Sequence, residues 1–182
     1  MVVALLACAL WPIFAIFPGC ATTQGTVTQI TNSVGQVTST TIPRLQQVKA
    51  GLWRSGQPHT PQEWAFLKTV LGITNVVKLN EGSEFSDQGA LDAGMTLHYF
   101  PIDVMEQMKP PGPSDMKMQQ ILAAMRQPGT LVHCTEGRDR TSLAAAIKRL
   151  EDGWSKDAAW AEMKANGYHE FLFGLTACWK RQ

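Results

Sequence analysis

The stretch His133 to Ser142 reads HCTEGRDRTS and sets Cys134 and Arg140 in the pattern Cys-(x)5-Arg, with Gly137 between them. Those residue types at that spacing suit chemistry on an anion. Thr130-Leu131-Val132-His133 before it reads as a short buried strand. Ala144, Ile147 and Leu150 after it are spaced for one buried helix face. A loop between strand and helix can curl so that successive backbone N–H groups point inward, at the positive end of the helix. The loop backbone from Thr135 through Glu136, Gly137, Arg138 and Asp139 to Arg140 would line that cup. Gly137 gives the chain the freedom to curl. Arg140 can hold two oxygens of a phosphate through its planar fork. Cys134, at the bottom, lies where the dipole, the N–H groups and the guanidinium all favour a thiolate. A thiolate so placed can attack phosphorus in line. Thr141 can donate its hydroxyl to the sulfur and help it leave in a second step. His133 is expected to point away from the ligand and orient the loop by hydrogen bonding.

His133, Cys134, Gly137, Arg140 and Thr141 match the phosphate loop H-C-x-x-G-x-x-R-[ST], and the chain resembles the protein tyrosine phosphatase superfamily on that ground. Leu52-Trp53-Arg54-Ser55-Gly56-Gln57-Pro58 and Gly72-Ile73-Thr74-Asn75-Val76-Val77 resemble the start of its compact dual-specificity members. The resemblance implies a phosphatase with no cofactor or metal, acting on a phosphorylated protein or a small phosphate ester. It also implies a general acid on a loop upstream. Asp103, in Phe100-Pro101-Ile102-Asp103, is the first candidate, with Glu106 and Asp115 as rivals. Glu136 and Asp139 depart from the more basic loops of relatives that bind inositol phosphates, and are expected to offset Arg138 and Arg140. Arg138 keeps an inositol or lipid substrate open.

The elements that must position this loop follow in order. Thr60-Pro61-Gln62-Glu63 reads as a capping box opening a helix that Gly72 stops. Residues 73–79 and 95–100 read as strands. Residues 84–93 are expected to be helical, as are 114–127, the chain from Thr141 onward, and further segments from Ser155 and Glu170. Strand, helix, strand, helix, strand argues for an α/β fold whose central, largely parallel sheet is flanked by helices. The resemblance makes that a three-layer, tyrosine-phosphatase-like fold. Trp53, Trp64, Trp154, Trp160 and Trp179 are expected in the core rather than as a ligand platform.

The 182 residues suit one domain with an appendage, and a net charge of +1 gives no argument for nucleic acid as a partner. Residues 1–20 contain no charged side chain and read as a secretory signal. Gly19-Cys20 resembles the end of a bacterial lipobox, in which the cysteine is lipidated; a plain signal or a short anchor is the alternative. Residues 21–42, rich in Thr, Ser and Gln, read as a flexible tether, and 43–182 as the catalytic domain. The chain would then be exported, lipid-anchored through Cys20, and associated with the periplasmic side of a bacterial membrane.

Two other readings use the same residues. One is a silent phosphate-binding module. The other is a rhodanese-like or arsenate-reducing enzyme, which would need Cys178 as a resolving thiol. Cys178 is instead expected to be buried and inert.

Overall fold

Strand β7, Thr130–His133, is buried at all four positions, and the main sheet is built around it. The computed structural model describes residues 28–31 and 37–182. The expected signal segment and Cys20 lie outside the described residues. In chain order, β1 (Thr28–Thr31) and β2 (Val37–Thr40) form an antiparallel pair, and β3 (Gln46–Lys49), β4 (Leu52–Ser55) and helix α1 (Pro61–Thr69) follow. Then come β5 (Asn75–Lys78), α2 (Gln88–Asp92), β6 (Thr96–Tyr99), α3 (Val104–Met108), α4 (Asp115–Met125) and β7. The chain ends in α5 (Arg140–Glu151), α6 (Lys156–Ala165) and α7 (Phe173–Lys180).

The main sheet has the order β3-β4-β7-β5-β6. All its pairings are parallel except β3–β4. Parallel strands must be covered on both faces, and their side chains alternate between the two. Val76 and Leu131 join Trp64, Leu67 and Ala90 on the face covered by α1 and α2. Val77 and Val132 join Ile121, Leu143 and Leu175 on the face covered by α4, α5 and α7. This is the α/β architecture with a largely parallel sheet that the strand–helix alternation anticipates.

Register decides where the chemistry lies. Ser55 and Lys78 both pair with His133, so β4, β7 and β5 end level with one another. The loops after these three strands therefore converge, as ligand sites at the carboxyl edge of an open parallel sheet require.

Several elements differ from expectation. Residues 84–93 are helical only from Gln88, because Glu84 and Asp87 are drawn toward the loop after β7. Helix α3 replaces an expected loop, closed by a capping box between Asp103 and Glu106. The chain between 21 and 42, read as a tether with some strand tendency from its Val and Thr residues, contributes β1 and β2, and Ile42 at its end is fully buried in the core. Among the tryptophans, Trp64 and Trp179 are core, whereas Trp154 is 41% exposed under the Arg149 guanidinium.

Leu131 is inaccessible at the centre of the middle strand. Leu131→Ala should cost about 3 kcal/mol of stability. A urea titration should show a lower midpoint at unchanged slope.

Candidate active site

The loop from Cys134 to Arg140 is shaped by what holds its carbonyls. The Thr135 carbonyl accepts from the Gln57 backbone N–H at 3.0 Å. The Glu136 carbonyl accepts from Arg44 Nη1 at 2.9 Å, and the Gly137 carbonyl from Arg54 Nη2 at 2.6 Å. A trans peptide is planar, with C=O and N–H opposed. Each carbonyl tied outward therefore turns the next N–H inward. Among the described residues, no acceptor is found for the backbone N–H groups of Thr135 through Arg140. They crowd the N-terminus of α5 and make a ready anion cradle.

Gly137 is indispensable to the curl. Its φ is 69°, and a Cβ there would lie 2.4 Å from the Gly56 nitrogen and 2.5 Å from the Ser55 carbonyl carbon. The β4 loop thus presses against the phosphate loop with no room for a side chain.

Cys134 is 2% exposed and lies in the floor of a cavity of about 220 Å³, also lined by Glu84, Gln107, Thr135, Asp139 and Arg140. A larger groove lined by Trp160, Phe171, Phe173 and Trp179 contains no residue of the loop. The Thr141 hydroxyl is buried and has no partner among the described residues, so its proton is free for a nearby sulfur. His133 is wholly buried and turned away from the cup. Its Nε2 lies 2.8 Å from the Asp87 carboxylate, and its ring edge packs on Trp64. Asp87 also accepts from Gln57 Nε2 at 2.7 Å and lies 3.5 Å from Lys78 Nζ. Burial pushes the Asp87 carboxyl up, but hydrogen bonding and charge from His133 outweigh this and hold it below its ordinary value.

The charges inside the loop pair differently from expectation. Arg140 is balanced by Glu84, not by Asp139. The Glu84 carboxylate takes Arg140 Nη1 at 2.7 Å and Nη2 at 2.9 Å, and also accepts from the Thr135 hydroxyl. Arg140 Nη2 further donates to the Thr135 hydroxyl at 3.1 Å and Nη1 to the Ile102 carbonyl at 3.4 Å. Asp139 instead accepts from the backbone N–H of His169 at 2.9 Å and faces that ring's Nδ1 at 3.2 Å. Glu136 pairs with Arg138 at 3.1 Å. Glu84, Asp87 and His169 carry no motif of their own. For Glu84 and Asp87 the one signal was an acidic pair in the loop after a parallel strand next to the phosphate-loop strand; His169, between α6 and α7, had none.

The acid candidates are separated by their partners. Glu106 is engaged by Lys117 at 2.6 Å and by the Asp103 backbone. Asp115, with its side chain 74% exposed, pairs with Arg181. Asp103 follows Ile102, whose carbonyl touches Arg140, and it caps the short helix whose Gln107 lines the cup. One of its oxygens accepts from the Glu106 N–H at 2.8 Å, and the other has no partner among the described residues. Glu84 is inside the cup, but the Arg140 hydrogen bonds hold it down to about 2, so it carries no proton to donate near neutrality. Burial pushes the Cys178 thiol up to about 11, which suits an inert core residue and not a resolving thiol.

A carboxyl depressed by folding stabilises the fold above its unfolded value and loses that contribution as pH falls through its folded value. For Glu84 the window runs from 4.5 down to about 2. Glu84→Gln should therefore lose less stability than the native chain across that window, read as urea midpoints at successive pH values.

Residues 34–162 match the family model described as "Tyrosine phosphatase family". A 52-residue stretch is 42% identical to the dual specificity protein phosphatase TpbA of Pseudomonas aeruginosa, covering 28% of this chain and 24% of that protein. A 130-residue stretch is 26% identical to the inositol diphosphatase DSP3 of Arabidopsis thaliana, covering 67% of this chain and 61% of that protein. The aligned regions thus span less than two thirds of either curated relative. Among solved structures, P. aeruginosa TpbA superposes with a TM-score of 0.58 at 27% identity, over 77% of this chain and 85% of that one. A TpbA variant in complex with phosphotyrosine gives 0.57 at 27% identity, over 75% and 83%. The core catalytic domain of the PP-IP phosphatase SIW14 from S. cerevisiae shares the fold, with a TM-score of 0.57 at 21% identity over 69% and 77%. With its loop, its sheet and the greater part of its length so matched, this chain belongs to the tyrosine phosphatase family.

Proposed function

We propose that this chain hydrolyses phosphate monoesters through a cysteinyl-phosphate intermediate. The observation that carries the reading is the ring of backbone N–H groups around Cys134, without acceptors among the described residues and kept inward by three tethered carbonyls.

In the first step the Cys134 thiolate attacks phosphorus and the bond from phosphorus to the ester oxygen breaks. Asp103 gives that oxygen its proton, and an alcohol or phenol leaves. The loop N–H groups and Arg140 hold the equatorial oxygens, where charge spreads in the transition state. In the second step water attacks the phosphocysteine and yields its proton to the Asp103 carboxylate. The phosphorus–sulfur bond breaks, inorganic phosphate forms, and sulfur departs as a thiolate that the Thr141 hydroxyl stabilises. His133, held by Asp87, is a positioning residue, and Glu84 orients the Arg140 fork from the side.

Two substrate classes are supported by likeness. The TpbA relatives support phosphotyrosine and phosphoserine or phosphothreonine in proteins. The inositol diphosphatase relative supports a small inositol ester. We further infer that the chain is exported and lipid-anchored at Cys20 on the periplasmic side of a bacterial membrane. The uncharged, apolar segment 1–20 ending in Gly19-Cys20 supports this.

Cys134→Ser should abolish phosphate release from an aryl phosphate while vanadate still binds; near-native turnover would refute the mechanism. Asp103→Asn should slow esters with poor leaving groups about a hundredfold and those with activated leaving groups far less. A release panel of phosphopeptides and inositol diphosphates decides between the substrate classes. Incorporation of a labelled fatty acid that disappears in Cys20→Ala checks the anchor.

A further inference from the structure

The phosphate loop has two faces. Its N–H groups face the cup, and its carbonyls face outward. On the carbonyl side lies a second cavity of about 250 Å³, lined by Arg44, Gln46, Arg138, Ala165, Asn166 and Gly167. It shares no lining residue with the cup. Within the loop the side chains divide: Glu136 and Asp139 line the cup, and Arg138 between them lines the second cavity.

The composition of this cavity is one-sided. It has two guanidiniums and two carboxamides, and no carboxylate lines it. The arginines come from distant parts of the chain and are both held in demanding states. Arg44 has φ 49°, the left-handed region, and is the non-glycine residue so placed among the described residues. That conformation is unfavourable for a residue with a side chain and persists only where its surroundings impose it. Arg44 spends one N–H on the Glu136 carbonyl and, among the described residues, has no carboxylate partner. Arg138 pairs through Nη2 with Glu136 and through Nη1 with His169 Nε2 at 3.1 Å. Its Nε is buried and has no acceptor among the described residues. A buried N–H left without an acceptor is unfavourable. An oxyanion between Arg44 and Arg138 would meet two cations and accept from their remaining terminal N–H groups.

We propose that this cavity is a second oxyanion site, taking the phosphate or sulfate group of a ligand separate from the one in the cup. The ligand bridges Arg44 and Arg138 behind the loop and braces the Glu136–Arg138 stretch whose N–H groups face the cup. Gln46 adds its amide from the edge strand β3. The proposal requires only that the cup bind anions, not that it be catalytic.

The test saturates the cup of the full chain with orthovanadate and then titrates inorganic phosphate calorimetrically. A further equivalent should bind. Arg44→Gln and Arg138→Gln should each weaken it about tenfold, and should weaken vanadate binding less. Arg140→Ala, whose cup lacks its guanidinium, should retain the second equivalent, so the result stands whether or not the cup is catalytic. Absence of binding in both the vanadate-loaded chain and Arg140→Ala would overturn the proposal. So would equal losses of phosphate and vanadate affinity in the arginine variants, or binding indifferent to both, which marks an adventitious ion only. Sensitivity to Arg44→Gln seen solely with a doubly phosphorylated inositol, and solely when vanadate is absent, would assign the cavity to the cup's own substrate and refute a separate ligand.

Discussion

Beneath the phosphate loop, the Arg54 guanidinium is buried to 1% exposure, and the shape of the loop hangs on where its N–H groups find acceptors. Burial lowers Arg54 to about 10, which still leaves it charged near neutrality. A buried cation is tolerable only with close acceptors. Arg54 finds two, the Gly137 carbonyl at 2.6 Å and the Ser142 hydroxyl at 2.7 Å. One is the middle of the loop and the other the first turn of α5. The need to satisfy this charge therefore ties strand β4, the loop and the helix into one unit. Because the Gly137 carbonyl is pulled toward Arg54, the following N–H must face the cup. The close approach of Ser55 and Gly56 to Gly137 belongs to the same constraint, since a side chain there would force apart the two strands' loops.

Charge balance in the cup is then set locally. Glu84 answers Arg140, Glu136 answers Arg138, and His169 engages Asp139. With both loop arginines paired to carboxylates, the attraction for an incoming anion comes chiefly from backbone N–H groups and the α5 terminus. Those groups do not titrate, so the cradle keeps its character over a wide pH range. Glu84 and Asp87 both descend from the loop after β5. One orients the arginine and the other, through His133, the strand end that delivers the cysteine. A single loop thereby couples both sides of the site, which explains why it forgoes the helix that its residues would otherwise start.

Much of this was legible in the chain itself. His133, Cys134, Gly137, Arg140 and Thr141 define the loop by residue type and spacing, because each has a job that few other residues can do. The α/β fold followed from the alternation of β-branched runs with helical periodicity, and the capping box at Thr60 and Glu63 fixed the start of α1. These are local signals, carried by residues close in sequence. Arg54 could be named in its extended segment, but nothing adjacent to it says that the position is buried.

What only the tertiary structure decided is which distant groups meet. The partners of Arg140, Gly137 and Glu136 lie in other parts of the chain: Glu84 in the loop after β5, Arg54 in β4 and Arg44 before β3. Sequence distance hides them, and the parallel register that brings Ser55 and Lys78 level with His133 reveals them. The nucleophile's neighbourhood was therefore written in one continuous motif. The electrostatics of the cup, and the second basic cavity behind it, arise from non-local packing that no run of residues encodes.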